Sequence, residues 1–260
     1  MITAKPAAAG RTALVTGGGS GLGRAIAISL AQSGARVLLI GRTEARVSAV
    51  STEIEGFGGS TRTAVCDTSV PASVEALRDA FHDEDVSILI NNAGIAGPVA
   101  PLVDVSAQEW DEVFAVNVRG VFLMCRAFLP AMIAHGRGDI INLSSVSGKR
   151  PLTGRTPYAA SKVAVIGLTA TLAHEVGPLG ISVNTLSPGP VRGPRMDHNF
   201  RLESQRTGIT YEAAEAEFVS RSALNRMIEE DEVGAAVVAM LNMPGLTGAD
   251  IDLSAGMIAR

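Results

Sequence analysis

The chain has 260 residues, of which 47% are hydrophobic and 18% charged, a composition that suits one large soluble domain or two small ones. Its net charge of −4 gives no electrostatic basis for binding nucleic acid or an anionic membrane surface. The two cysteines and four histidines lack the spacing of a disulfide framework or a metal site. We find no signal peptide and no apolar run near the ~18 residues of a membrane span, so we expect a cytoplasmic protein.

Short, uniformly apolar runs alternate with helix-length stretches from residue 12 to about residue 186. Uniform runs are typical of strands that are covered on both faces, as in a parallel sheet. The expected strands span residues 13–15, 37–40, 64–65, 86–90, 140–143 and 181–186, and a helix near 231–241 and a strand near 249–253 follow. The alternation predicts one doubly wound α/β unit with right-handed crossovers and no internal domain boundary.

A glycine-rich segment, TGGGSGLG at residues 16–23, comes directly after the first apolar run. The row of Leu22, Ile26 and Leu30, ended by Gly34, predicts that a helix follows it. A strand, a glycine turn and a helix N-terminus together make a phosphate site, because backbone N–H groups point outward and absent side chains allow close approach. The spacing is G-x-x-x-G-x-G rather than the dinucleotide fingerprint G-x-G-x-x-G. The alternative is a tight turn without a ligand.

The second apolar run ends at Gly41 and Arg42, about twenty residues after the glycines. At this place an acidic residue would hold an adenosine ribose hydroxyl, and the chain has none. An arginine suits a 2′-phosphate, whose oxygens accept paired hydrogen bonds from a guanidinium. We therefore favour NADP(H) over NAD(H), the alternative being that Arg42 is simply solvated.

Two further helices have recognisable starts. Ser106 and Glu109 form a capping-box pattern that opens a long helix. Thr156 and Pro157 are typical of an N-cap followed by proline at the first helical position. Tyr158 should then lie in the first turn of its helix, beside the positive end of the helix dipole.

Tyr158 and Lys162 are the most informative pair, because the chain contains two tyrosines and we find only three lysines. Residues four apart on a helix share a face, so the phenol and the ammonium should converge. A nearby positive charge favours the phenolate form of a tyrosine, whose ordinary pKa is near ~10. The pair therefore predicts a proton-transferring site, against the alternative of a solvated helix start.

Residues 192–226 break the alternating pattern. This stretch is polar and rich in arginine and glutamate, and Tyr211, Ala214 and Phe218 form a possible apolar helix face. Two interpretations stay open: a mobile lid over a substrate, or a helical hairpin packed on the periphery of the domain.

The motifs together resemble the short-chain dehydrogenase/reductase family along essentially the whole chain. The matching residues are Gly17, Gly21 and Gly23 in TGGGSGLG, Asp67 in VCDTS, Asn91 to Gly94 in NNAG, Asn117 in AVNVRG, Ser145 in NLSSVSG, the Tyr158 and Lys162 pair, and Ser187 to Gly189 in SPG. The resemblance implies a single Rossmann-like, doubly wound parallel sheet with helices on both faces, forming one catalytic domain over residues 1–260.

The same resemblance implies a nicotinamide dinucleotide along the strand ends. Asp67 would contact the adenine, and Asn91, Ala93 and Gly94 would line the adenosine side of the cleft. The full set expected at the cofactor is Gly17, Ser20, Gly21, Leu22, Gly23, Arg42, Asp67, Asn91, Ala93, Gly94, Tyr158, Lys162, Pro188, Gly189 and Val191.

Four catalytic residues are implied as well. The family's serine lies thirteen residues before its tyrosine, which selects Ser145 over Ser144. Ser145 would donate a hydrogen bond to the substrate oxygen, and Tyr158 would exchange a proton with it. Lys162 would lower the pKa of the tyrosine and hold the nicotinamide ribose, and Asn117 would anchor a proton-relay water.

The chain departs from the family pattern after SPGPV. Many members carry a threonine there that binds the nicotinamide carboxamide, and this chain has Gly193. Backbone groups or Arg192 could substitute for it.

Cationic residues flank the expected site. Lys149, Arg150 and Arg155 lie between the serine and the tyrosine, and Arg192 and Arg195 follow the SPGP turn. If they face the cleft, they favour an anionic substrate such as a carboxylate or an acyl-carrier thioester. The alternative is that these side chains only meet water.

The leading hypothesis is an NADP(H)-dependent oxidoreductase that interconverts a small-molecule carbonyl and a secondary alcohol, like 3-oxoacyl reductases or small hydroxy-compound dehydrogenases. Two alternatives are an NAD-dependent secondary alcohol dehydrogenase and a non-catalytic dinucleotide-binding sensor. By family analogy we expect a homotetramer or dimer, with the helices after Ser106 and Thr156 as contact surfaces.

Overall fold

The computed structural model describes residues 7–258, apart from the side chains of six residues between positions 194 and 206. The strands are β1 (Thr12–Thr16), β2 (Arg36–Gly41), β3 (Ser60–Val65), β4 (Val86–Asn91), β5 (Gly138–Leu143), β6 (Ile181–Pro188) and β7 (Asp250–Leu253). They form one sheet in the order β3-β2-β1-β4-β5-β6-β7, and all neighbours are parallel. The predicted doubly wound sheet is confirmed.

Helices cover both faces of this sheet. They are α1 (Gly21–Gln32), α2 (Glu44–Gly56), α3 (Pro71–Ala80), α4 (Ala107–Phe114), α5 (Gly120–His135), α6 (Thr156–Val176), α7 (Pro194–Thr207), α8 (Tyr211–Val219) and α9 (Glu230–Leu241). Buried residues of α1, α2 and α9 pack in one core cluster, and those of α3, α5 and α6 pack in the other. The inner strands are thus enclosed between two apolar layers, whereas the edge strands β3 and β7 are only partly buried.

Strand β1 shows why the apolar runs are uniform. Ala13 and Val15 belong to the core cluster on the α1 side, whereas Leu14 between them belongs to the cluster on the α5 side. All three residues are fully buried. Since successive side chains point to opposite faces, a strand covered on both faces needs an apolar residue at every position.

The order of the strands determines where a cleft can form. The chain runs from β1 outward to β2 and β3, and then crosses to β4 on the other side of β1. The connections that leave β1 and β4 therefore diverge, which opens a crevice at the carboxyl ends of these two strands. This switch point positions the site described below.

The long helix predicted after Ser106 is present and begins with a complete capping box. The Glu109 amide donates to Ser106 Oγ at 3.2 Å, and the Ser106 amide donates to Glu109 Oε2 at 2.9 Å. The helix continues from α4 through a π-helical turn, Ala115–Arg119, into α5. We expected no segment as long as a membrane span, and Ala107–His135 corrects this expectation, since an 18-residue window in it has a mean hydropathy of 1.5. Its buried side packs in the core beneath the sheet.

Helices α7 and α8 form a hairpin with a small core of its own. Phe200 is buried and makes edge-to-face contacts with Tyr211 and Phe218 at ring-centroid distances of 5.7 and 5.5 Å. Ala214 is buried in the same cluster. The predicted apolar face of Tyr211, Ala214 and Phe218 is therefore confirmed as the packing surface of the hairpin.

Candidate active site

The turn between β1 and α1 is shaped for close approach by a ligand. Gly17 and Gly21 have φ angles of +66° and +53°, which favour glycine. A Cβ atom on Gly23 would overlap the carbonyl oxygen of Gly17. Ser20 is the N-cap of α1, but its side chain makes no capping hydrogen bond, and the first turn of α1 contains no acidic residue. The first N–H groups of this helix can therefore meet a phosphate.

Two charged residues, Arg42 and Asp67, lie near the strand ends on the β2 and β3 side. Asp67 follows β3, and its pKa is lowered chiefly by the hydroxyl of Ser69, which donates to Oδ1 at 2.6 Å, with further contributions from the charges of Arg42 and Arg119. Arg42 is exposed and lines the cleft. The expected Arg42 and Asp67 thus lie in the same electrostatic neighbourhood.

Sequence reasoning missed a second cation there. Arg46 is exposed and lines the cleft. Its Cβ lies 2.9 Å from where a Cβ of Gly19 would be, which places the start of α2 against the glycine-rich turn. Arg42 precedes α2, which begins at Glu44, so no shared helix face in the sequence indicated this second cation.

The end of β4 requires one correction. Asn91 was expected to line the cleft, but its side chain is buried and donates to Asn142 Oδ1 at 2.8 Å. Asn92, Ala93 and Gly94 line the cleft instead. Asn91 is the last residue of β4, and the alternation of side chains along the strand turns it into the core.

Asn92, which sequence reasoning did not single out, joins the ends of the two central strands. Its Nδ2 donates to the Thr16 carbonyl at 2.9 Å. Thr16 Oγ1 accepts hydrogen bonds from the amides of Asn92 and Ala93, both at 3.0 Å. These bonds fix the floor of the crevice at the switch point.

The two neighbouring serines after β5 have different environments. Ser144 is buried and donates to the Lys162 carbonyl at 2.8 Å, so its hydroxyl is committed to the packing of α6. Ser145 is half-buried and lines the cleft, and its Oγ accepts from the Ser147 amide at 3.2 Å. That hydroxyl can still donate its own proton toward the cleft, which agrees with the choice of Ser145.

Tyr158 and Lys162 lie together on α6, and both line the cleft. The Lys162 side chain is buried, its Nζ donates to the Leu143 carbonyl at 2.8 Å, and it lies 5.7 Å from the centroid of the Tyr158 ring. The helix begins one residue earlier than predicted, with Arg155 rather than Thr156 as the N-cap. Tyr158 still lies in the first turn.

Asn117 lies in the π-helical turn and is buried. Its Oδ1 accepts from the Ile95 amide at 2.8 Å, and its Nδ2 donates to the Ile95 carbonyl and to Ser161 Oγ, both at 3.0 Å. Ser161 Oγ donates in turn to the Tyr158 carbonyl at 2.7 Å. The extra residue of a π turn is common at functional sites, and here it links the β4 loop to α6.

Gly94 lies beside both Asn117 and Lys162. A Cβ on Gly94 would lie 3.2 Å from Asn117 Oδ1 and 3.6 Å from Lys162 Nζ. The absence of a side chain leaves this space open to a ligand. This open space and the glycine-rich turn together suit a bound dinucleotide.

The segment after β6 closes the other side of the cleft, with Pro188, Gly189 and Val191 in its wall. A Cβ on Gly189 would lie 2.8 Å from Ser254, so the wall is packed tightly against the end of β7. Gly193 has a φ of +150°, a conformation that a β-branched residue such as threonine rarely adopts. The backbone conformation at residue 193 therefore favours the glycine found here over the threonine of many family members.

Two of the flanking cationic residues, Lys149 and Arg192, form ion pairs with carboxylates. Lys149 makes ion pairs with Asp250 at 2.7 Å and with Asp252 and does not line the cleft, so the condition for its attracting an anionic substrate is not met. Arg192 pairs with Glu215 at 3.0 Å and with Glu229 at 3.1 Å.

Arg150 and Arg155 line the cleft, and Arg155 also donates to the Ala96 carbonyl at 3.4 Å. The side chain of Arg195 lies outside the described part of the structure. Of the cations that flank the expected site in sequence, Arg150, Arg155 and Arg192 therefore line the cleft, and Arg192 is paired with two glutamates.

All these features line one continuous cleft of about 1700 Å³. Except for Asn91 and Asn117, which lie behind its wall, every residue expected at the site contributes to its lining. The α7–α8 hairpin covers one end through Met196, Phe200 and Phe218.

Comparison with known proteins agrees with this geometry. The short chain dehydrogenase family model matches residues 11–205. Levodione reductase of Leifsonia aquatica is 35% identical over 236 residues, which cover 89% of this chain and 87% of the relative. A crystal structure of an actinorhodin polyketide ketoreductase variant with NADPH has a TM-score of 0.90 at 30% identity, covering 95% of this chain and 97% of that chain.

Xylitol dehydrogenase with bound NAD+ has a TM-score of 0.89 at 27% identity, covering 95% of this chain and 99% of that chain. The similarity extends over nearly the whole length of each of these proteins, and the family model includes the glycine-rich turn, Ser145, Tyr158 and Lys162. The chain therefore belongs to the short-chain dehydrogenase/reductase family and is an NAD(P)-dependent oxidoreductase of carbonyl and alcohol groups.

Proposed function

We propose that the protein is an NADP(H)-dependent oxidoreductase that interconverts a carbonyl and a secondary alcohol, in the manner of 3-oxoacyl reductases and small hydroxy-compound dehydrogenases. The observation that carries the proposal is the buried ammonium of Lys162 beside Tyr158 on the cleft wall, with Ser145 in the same cleft. A buried cation next to a phenol stabilises the charge that develops when the phenol gives up its proton.

The residues present fit a bound nicotinamide dinucleotide. The N–H groups at the start of α1 would hold the pyrophosphate, and Arg42 with Arg46 would hold a 2′-phosphate. Asp67 would contact the adenine, and Lys162 would contact the nicotinamide ribose. Ser20, Leu22, Ala93, Gly94, Pro188, Gly189 and Val191 would complete the walls. When bound, the cofactor supplies or accepts the hydride.

The chain's own residues carry out the proton chemistry. In the reductive direction Ser145 Oγ donates a hydrogen bond to the carbonyl oxygen, and Tyr158 transfers its proton to the same oxygen. The Lys162 ammonium stabilises the phenolate that is left. Asn117 holds the start of the β4 loop against α6 through Ile95 and Ser161. The anchoring of a relay water by Asn117 stays a prediction.

Kinetics on a panel of ketones and secondary alcohols would test the reaction class. We expect absorbance changes of the reduced nicotinamide at 340 nm with at least one carbonyl compound and NADPH. Saturable binding of the cofactor without turnover of any member of a broad panel would favour the non-catalytic sensor instead.

The cofactor preference depends on Arg42. Arg42→Ala should lower kcat/KM for NADPH by about tenfold or more, because a charge-assisted contact to the 2′-phosphate is lost, while values for NADH change little. Arg24→Ala is a matched control, since Arg24 pairs with Glu53 and does not line the cleft. Equal losses with both cofactors would contradict the 2′-phosphate role and favour an NAD-dependent enzyme.

Residues 192–226 are proposed to act as a lid over the substrate. The hairpin contributes Met196, Phe200 and Phe218 to the cleft and packs through its own small core, so it can move as a unit. Arg150 and Arg155 would then face an anionic substrate group. Hydrogen exchange of α7 and α8, with and without substrate, would measure closure as increased protection.

We also propose a cytoplasmic homotetramer or dimer that associates through α5 and α6. Phe122 of α5 and Val163 of α6 are 47% and 50% exposed, which suits a contact surface. Light scattering coupled to gel filtration would give the mass, and a monomer at micromolar concentration would contradict the proposal.

A further inference from the structure

A carboxylate lies in the cleft where the start of α1 meets the loop after β6. Glu230 is the first residue of α9, is half-buried and lines the cleft. Its Oε1 lies 3.7 Å from where a Cβ of Gly21 would be and 3.5 Å from where a Cβ of Gly193 would be. Glu230 thus connects the start of α1 with the loop after β6.

The neighbouring acids of α9 are engaged elsewhere. Glu229 and Glu232 form the capping box of the helix. Glu229 also pairs with Arg192, and Glu232 pairs with Arg226. Among the described side chains, Glu230 has no such partner, so its carboxylate remains available to a ligand in the cleft.

This carboxylate lies beside Gly193, the position at which the chain departs from the family pattern. The family resemblance places there a threonine whose hydroxyl binds the nicotinamide carboxamide, and the φ of +150° disfavours such a residue in this chain. Because a Cβ at residue 193 would lie 3.5 Å from Glu230 Oε1, the carboxylate occupies the neighbourhood that a threonine hydroxyl would reach.

We propose that Glu230 replaces this threonine as a specificity-determining residue and accepts hydrogen bonds from the carboxamide NH2 group of the nicotinamide. This inference rests on the proposed function. A carboxylate is an acceptor without protons of its own, and the carboxamide supplies the N–H donors of the nicotinamide ring. Hydrogen bonds to an ionised acceptor are shorter and stronger than neutral ones. A pyrophosphate offers the carboxylate no such donor.

Binding of a cofactor analogue tests the contact directly. In 3-acetylpyridine adenine dinucleotide phosphate a methyl ketone replaces the carboxamide, so the N–H donors are absent. We expect wild-type protein to bind NADP+ about tenfold more tightly than this analogue, measured as Kd by calorimetry. Glu230→Ala should weaken NADP+ about tenfold and leave the analogue almost unchanged, so the two constants should become similar.

Asp231→Ala provides a matched control. Asp231 is the next residue of α9, carries the same charge, is exposed and does not line the cleft. It should leave the ratio of the two constants at the wild-type value. The melting temperature of each variant, measured without cofactor, should stay close to that of wild type.

Three results would overturn the inference. Glu230→Ala could weaken NADP+ and the analogue equally, it could leave the ratio unchanged, or it could tighten both, which would show that the carboxylate only repels the pyrophosphate. If wild-type protein bound neither NADP+ nor NAD+, the proposed function itself would fail. The two failures are therefore distinguishable in the same titrations.

Discussion

The cofactor half of the cleft and its substrate half are assembled from different kinds of structure. The floor of the cofactor half is backbone at the ends of β1 and β4, held by fully buried strands and by glycines such as Gly17 and Gly23, where a Cβ atom would be too close to its neighbours. The substrate half consists of side chains from the segments after β4, β5 and β6 and from the α7–α8 hairpin. Val99 and Leu152 in this half are 63% and 46% exposed.

This difference separates what the fold fixes from what it leaves open. Substitutions of the glycines in the cofactor half must displace backbone, so they should impair cofactor binding and stability together. Substitutions in the substrate half change exposed or loosely packed side chains, and they should alter the range of substrates with little effect on the fold.

The largest effect is expected at Gly23. A Cβ atom there would overlap the Gly17 carbonyl, so Gly23→Ala must shift the backbone that would hold the pyrophosphate. We expect loss of measurable cofactor binding in calorimetry and a decrease of about 3 kcal/mol in the free energy of unfolding in urea. Gly56→Ala is the control, because a Cβ on Gly56 would meet no atom within 4 Å. Normal binding by Gly23→Ala would contradict the proposed phosphate cradle.

Lys149 ties the segment after β5 to β7, and its removal should have an intermediate effect. It follows the turn that bears Ser145 and pairs with Asp250 and Asp252 of β7. Lys149→Met removes a cation that pairs with two partly buried carboxylates, so we expect a loss of about 2 kcal/mol in unfolding free energy. Lys149→Arg should recover most of it. If Lys149→Met unfolds at the wild-type urea midpoint, these ion pairs contribute nothing.

A smaller effect is expected at Phe218 of the hairpin. Phe218→Ala removes an apolar contact at the substrate end of the cleft, so KM for the carbonyl substrate should rise about three- to tenfold. The Kd for the cofactor should not change. Phe57→Ala, at the exposed end of α2, is the control. A change in cofactor Kd of the same size would show that the two halves are not separable.

Features carried by local spacing could be predicted from the sequence. Tyr158 and Lys162 share a face because they are four residues apart on one helix. Ser106 and Glu109 cap α4 because they are three residues apart, the spacing of a capping box. The uniform apolar runs predicted a sheet covered on both faces, because the alternation of side chains leaves no polar position in such strands.

Features that depend on the folded path could not be predicted in this way. The pairing of Lys149 with Asp252 joins residues 103 positions apart. The NNAG motif does not reveal which asparagine points inward, and Asn91 was therefore assigned to the cleft although its side chain lies in the core. The location of Glu230 beside Gly21 and Gly193 requires three separate segments to meet.

Replacement of Tyr158 by phenylalanine tests the central claim most directly. The chain has two tyrosines, and Tyr211, whose hydroxyl donates to Asp197 at 2.9 Å in the hairpin, provides the control Tyr211→Phe. With an active carbonyl substrate and NADPH, we expect Tyr158→Phe to lower kcat by about 10²- to 10⁴-fold at unchanged cofactor Kd, and Tyr211→Phe to retain most of the activity. A Tyr158→Phe variant that reduces the carbonyl at the wild-type rate would contradict the account.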